Sequence, residues 1–204
     1  RSELCHSGTL HPAMRQLEHY FTPFQTYLMA EAESDDGKFD LLTAVQVLKS
    51  EVEYRAESPP RTGLFMFQLE CLCHNRLKYD AGLKAISEDP IYNQDWKDWI
   101  LIVRRQIGIV DLADLIYVRS WQLAKMQTTD PDPGQAVLFG EQEGRIAHAN
   151  RQKEPMFLFA ALQRQLAYPK VPRPSVEEDS ANRLLILERK LDQLTQRMKL
   201  VEDD

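Results

Sequence analysis

The sequence predicts a mostly α fold, a helical globular body followed by a C-terminal parallel coiled-coil helix. Three observations carry that prediction. Apolar residues recur at gaps of three and four through most of the chain, the period of helices with one buried face. Eight glycines in 204 residues is too few for a turn-rich β architecture. From Leu184 onward the apolar positions then form one unbroken seam.

Taken in order, Met14, Leu17, Phe21, Phe24 and Leu28 keep the three-four spacing across Pro23. Thr22-Pro23-Phe24-Gln25 is a capping box with proline at the first helical position, so two helices should meet at Thr22. The second should end near Ser34-Asp35-Asp36-Gly37. Leu41, Val45, Leu48 and Val52 line one face of a helix that stops before Ser58-Pro59-Pro60. Leu64 to Cys73 is apolar on most sides, which suits the central buried helix; a strand is the alternative for its first four residues.

A shorter helix should follow around Leu77 to Ile86. Beyond Pro90 comes the strongly periodic set Trp96, Trp99, Ile100, Val103 and Ile107. Asp111 reads as the cap of a further helix through Leu115, Val118 and Trp121, with a short strand over Leu115 to Val118 the alternative. Thr128 to Gly134 is a loop or hinge. Ala136 to Phe139 could form one short strand before a helix from about Glu141, and Pro155 opens another carrying Met156, Phe159, Leu162 and Leu166. Tyr168-Pro169-Lys170-Val171-Pro172-Arg173-Pro174 reads as an extended, polyproline-like stretch. The expected organisation is a body over residues 8–168 with a hinge at 128–134, a linker over 169–179, and an oligomerising helix over 180–203.

In that last segment Leu184, Leu191 and Met198 take a positions, and Leu187, Leu194 and Val201 take d. Arg183, Lys190 and Arg197 fall at g; Glu188, Thr195 and Glu202 fall at e. In a parallel bundle Arg183 meets Glu188 and Arg197 meets Glu202, whereas an antiparallel pair would set cations against cations. Arg183 to Glu188 and Arg197 to Glu202 each resemble the Arg-h-x-x-h-Glu pattern (h apolar) of short parallel trimeric coiled coils. The resemblance implies three strands. A dimer and a lone amphipathic helix folded back on the body stay open.

Composition narrows the function classes. With 43% hydrophobic and 27% charged residues the chain can bury a core and is not a disordered polyelectrolyte. A net charge of −6 disfavours nucleic-acid partners, which are held by Lys and Arg on phosphates. No apolar run approaches the length of a membrane span. Three cysteines suit a reducing compartment, so the expected location is cytoplasmic. The chain opens on Arg1 rather than Met, which leaves room for a removed leader or upstream domain.

Motifs for chemistry are sparse. Cys5-His6 and Cys71-x-Cys73-His74 offer soft ligands, but a one-residue gap would turn two helical cysteines about 200° apart. Buried packing is the plainer role, and no metal or cofactor is expected. Glu3-Leu4-Cys5-His6 is a single Glu-x-x-His where a di-iron bundle needs two. Glu141, Arg145 and His148 would share one helix face, where a histidine beside a carboxylate and a cation could move protons; a solvated face with one ion pair is the competing reading. Gly140-x-x-x-Gly144 lacks the ending of a phosphate loop. Asp95 and Asp98 flank Trp96 and Trp99, a pattern that suits the polar side of a helix start with core tryptophans, or an aromatic partner-binding stripe.

The expected function is therefore a noncatalytic structural or adaptor protein that self-associates through its C-terminus and binds protein partners. A small helical enzyme around Glu141, Arg145 and His148 is the alternative. A third reading is a domain whose terminal helix enters a groove on another protein. Titratable groups converging in a deep pocket would favour the enzyme, and a large exposed apolar patch the adaptor.

Overall fold

Thr22 starts a helix but does not end one: the helix before it stops five residues earlier, so the two do not meet there and residues 17–21 form a turn between them. α1 (His11–Gln16) stops at Leu17, and α2 (Pro23–Ala32) begins at a complete capping box. The Thr22 hydroxyl accepts from the Gln25 N–H at 3.3 Å, and the Gln25 side chain accepts from the Thr22 N–H at 3.1 Å. In this computed structural model the described residues are 9–34, 39–126 and 136–173. Among them every regular element is an α-helix, joined by turns, irregular segments and two isolated bridges.

α3 (Leu41–Ala56) is capped by Asp40, whose carboxylate accepts from the Thr43 N–H at 2.8 Å. Ser58 takes a left-handed φ of 54° and Pro59-Pro60 turns the chain into α4 (Arg61–His74). Every residue of α4 from Gly63 to Leu72 is buried, so the central-helix expectation holds and the strand alternative is discarded. α3, α5 (Tyr79–Ser87) and α10 (Pro155–Leu166) pack around it, and α2 bridges α3 and α5. Gly82 lets α5 approach, because a Cβ there would lie 2.6 Å from a Leu72 methyl.

α6 (Gln94–Gln106), capped by Asn93, lies along α5 and brings both tryptophans inward. Trp96 and Trp99 meet edge to face at 5.5 Å between centroids, with Phe65 of α4 and Phe139 against both. The partner-stripe reading of these tryptophans is thereby overturned; aromatic burial holds them in the core.

Asp111 does cap a helix, α7 (Leu112–Tyr117), but that helix is not continuous through Trp121. The Ser120 hydroxyl donates to the Tyr117 carbonyl at 2.7 Å, and the Trp121 N–H leaves the helical ladder for the Phe139 carbonyl at 3.0 Å. α8 (Trp121–Met126) then restarts. The proposed strand over Ala136 to Phe139 amounts to one bridge between Ser120 and Phe139. α9 (Glu141–Ala149) packs on α7, α8 and α10. It comes close to Ser120 because position 144 is glycine: a Cβ there would collide with the Ser120 hydroxyl oxygen and lie 2.7 Å from the Ser120 Cβ.

Past α10, Tyr168 and Val171 are buried, and the Asn75 amide donates to the Pro172 carbonyl at 3.3 Å. The compact unit runs to Pro172.

Candidate functional site: the outer face of the third helix

α3 turns its apolar stripe outward. Leu41, Leu42, Val45 and Val52 are 48–55% exposed, and Leu48 between them is half-buried. The buried face consists of Thr43, Ala44, Val47, Glu51 and Tyr54. Hydrophobicity alone would rotate this helix the other way, since burying a Leu or Val side chain is worth about 1.5–3 kcal/mol.

A buried polar network fixes the orientation. The Glu51 carboxylate, fully buried, accepts from Gln25 Nε2 at 2.6 Å, Gln68 Nε2 at 3.0 Å and Arg55 Nε at 2.9 Å. Gln68 in turn accepts from the Tyr92 hydroxyl at 2.8 Å. Arg55 also pairs with Asp89, whose carboxylate takes the Ile91 N–H at 3.1 Å. Burial works against the Arg55 guanidinium, but Glu51 and then Asp89 outweigh it and hold its pKa above the ordinary value. Breaking a buried ion pair costs about 3–5 kcal/mol, and rotating α3 to hide its leucines would also expose Val47 and Tyr54, so the network opposes that rotation. The network is filled by its own members. Its carboxylates are closed to a substrate and serve to aim α3.

Other polar groups that the sequence singles out are placed as follows. Glu141 and Arg145 meet at 2.5 Å, Lys125 joins the same carboxylate, and Arg145 Nε donates to Gln122 at 3.3 Å. The Lys125 hydrogen bond holds the Glu141 carboxyl below the usual range, with Arg145 adding to it. His148 packs at a tilt against the Tyr117 ring instead, 4.9 Å between centroids, and the Arg151 guanidinium lies 4.7 Å from that ring. The structure thus joins Glu141 to Arg145 and directs His148 elsewhere. Among the described residues no carboxylate hydrogen-bonds to its imidazole as a general base would require.

Glu70 is buried on α4 and accepts from the Tyr168 hydroxyl at 2.7 Å. Burial first, and the Glu70 charge second, keep that phenol protonated. His74 Nδ1 lies 3.2 Å from Glu70 Oε1, outside hydrogen-bond geometry, and its Nε2 lies 3.1 Å from the Met156 sulfur. Burial pushes the Cys71 thiol well up. Burial likewise lifts Cys73 to about 11 against a lowering hydrogen bond with Tyr79. Both remain thiols, the unreactive form. Among the described residues no three His, Cys, Asp or Glu side chains converge as metal ligands.

The outward stripe was legible as spacing; its exposure was not. The seam residues Arg183, Leu184, Leu187, Glu188, Leu191, Leu194, Arg197, Met198, Val201 and Glu202 lie outside the described residues. Among the described residues no helix is long and apolar enough to cross a membrane. Comparison of the chain with protein families, curated proteins and solved structures finds no match.

Proposed function

We propose that this protein is a noncatalytic structural or adaptor protein of the cytoplasm. It self-associates through the seam from Leu184 to Val201 and offers the outer face of α3 to protein partners. One observation carries the reading: a row of leucines and valines held in water by a buried charge network beneath it. Contiguous apolar surface of this kind marks an interaction site. Parallel association repeats that face in each copy, with three strands favoured by the Arg-h-x-x-h-Glu pattern and two the alternative. The enzyme reading around Glu141, Arg145 and His148 draws less support, because His148 packs against Tyr117 rather than against the ion pair.

The test is the mass of the intact chain in solution. Light scattering at micromolar concentration should give an oligomer, which Leu191→Asp at a central a position dissociates by burying one carboxylate per strand. Gln193→Asp, on the outside of the seam, should change nothing. A monomer for the intact chain, or equal effects of the two substitutions, overturns the self-association. An activity that collapses in His148→Ala overturns the noncatalytic assignment.

A further inference from the structure

His74 sits where three parts of the body meet. It is the last residue of α4, and its Nε2 lies 3.1 Å from the Met156 sulfur in the first turn of α10. Its Nδ1 lies 3.2 Å from Glu70 Oε1, one turn back along α4 and within ion-pair range. The other oxygen of Glu70 takes the Tyr168 hydroxyl at 2.7 Å, from the stretch that follows α10. Only 6% of the His74 side chain and 7% of the Glu70 side chain meet solvent, so their neighbours set their charge.

Both ring nitrogens of His74 face acceptors. An ionised carboxylate only accepts, and a thioether sulfur accepts weakly and donates nothing. A neutral imidazole carries one N–H and would set a bare nitrogen against one of the two. The imidazolium donates from both nitrogens and balances a carboxylate inside the protein. We propose that His74 is held in this charged form, that it latches residues 167–172 onto α4 through Glu70, and that loss of its proton opens this strap.

The strap is placed to respond. Ala167 turns the chain with a left-handed φ of 53°, Tyr168 and Val171 are buried, and the Asn75 amide holds the Pro172 carbonyl at 3.3 Å. Tyr168 covers one oxygen of Glu70, so lifting the strap returns that oxygen to water. With His74 charged, Glu70 is buried beside a cation and the strap stays shut. With His74 neutral, the same carboxylate is buried without that charge. Burial then penalises it more, and its hydration favours the open strap. The latch is fully present below the ordinary imidazole value, about 6.5. It is lost as pH rises through the higher value that two acceptors impose.

Among the described residues, α4 sets Glu70 against His74, while α10 sets Met156 and the Phe159 ring, 6.2 Å away, neither of which titrates. The strap contributes Tyr168, whose phenol burial keeps protonated, and Cys71 beside Glu70 stays a thiol for the same reason. Of these groups His74 is the one that changes charge between about pH 6 and about pH 9.

The strap leads into the segment proposed above as a seam. Six undocked residues give the chain up to about 20 Å of added reach between the body and that segment. This consequence rests on the proposed coiled coil; the latch itself does not.

The test is trypsin cleavage of the full chain after Lys170, the lone basic residue of 167–172, followed from about pH 6.5 to about pH 9. Each rate is divided by that of a free peptide covering residues 166–173, which cancels the pH dependence of the protease. The ratio should rise about tenfold, the change that one pH unit of difference between shut and open strap gives. Circular dichroism should stay constant across the range, and nitrogen-15 NMR should show both His74 nitrogens protonated at pH 7. Met156→Leu, at a half-exposed position, removes one acceptor and should move the rise to lower pH. His74→Gln should flatten it, and Met156→Leu decides alone if His74→Gln fails to fold. A His74 that is neutral at pH 7, a ratio that ignores pH, or a Met156→Leu rise identical to wild type overturns the latch.

Discussion

Gln25 and Glu51 meet at 2.6 Å in the interior, and the same glutamine closes the capping box of α2 through its other side-chain atom. One side chain therefore sets both where α2 begins and which way α3 faces. Its oxygen is committed to the Thr22 N–H, which leaves only its NH₂ group for Glu51.

This predicts an unusual penalty for a near-isosteric change. All three partners of Glu51 are donors: Gln25, Gln68 and Arg55. Glu51→Gln sets an NH₂ group against at least one of them and leaves Arg55 without part of its charge balance. The expected loss is about 1.5–3 kcal/mol, the range for hydrogen bonds to a charged group. Urea unfolding should report it, with Gln46→Ala on the exposed side of the same helix within about 0.5 kcal/mol of wild type. A Glu51→Gln variant as stable as wild type would show that the network is not what orients α3.

Gly144→Ala should destabilise even though alanine is the better helix former by about 1 kcal/mol. The added methyl would collide with the Ser120 hydroxyl oxygen and lie 2.6 Å from the Gln122 Cβ. Overpacking of this kind costs about 1–3 kcal/mol. The thermal midpoint should fall; a rise would mean that α9 has room to move away from α8.

Acid should loosen the first helix before the rest. Glu33 accepts from the His11 N–H at 3.0 Å and lies 2.7 Å from His11 Nδ1, with the Leu10 N–H on its other oxygen. Burial alone would raise this carboxyl, but the His11 and Leu10 groups outweigh it and hold the pKa below the ordinary value. A carboxylate whose folded pKa is lowered stabilises the fold at neutral pH and loses that contribution as pH falls through the lowered value. Hydrogen-exchange protection of the Leu10 and His11 amides should drop as pH falls from about 6 to about 3. Glu33→Ala should remove it at every pH. Protection that ignores pH in wild type would separate Glu33 from the anchoring of α1.

What could be read from residues alone was local. The capping box at Thr22, the Asp111 cap, the proline that opens α10 and the apolar run from Leu64 to Cys73 each act within a few residues of themselves. Each appears in the structure where the sequence places it. The break between α7 and α8 was not readable, because the Trp121 N–H is diverted by a carbonyl eighteen positions on, at Phe139. The direction of α3 was hidden for the same reason. Its leucines and valines announce an apolar face, but the groups that hold Glu51 inside come from Gln25, Gln68 and, through Arg55, Asp89. Periodicity measures how apolar a face is. Whether that face is buried depends on what the opposite face can bond to, and here a charged side chain with every partner in place outweighed the leucines.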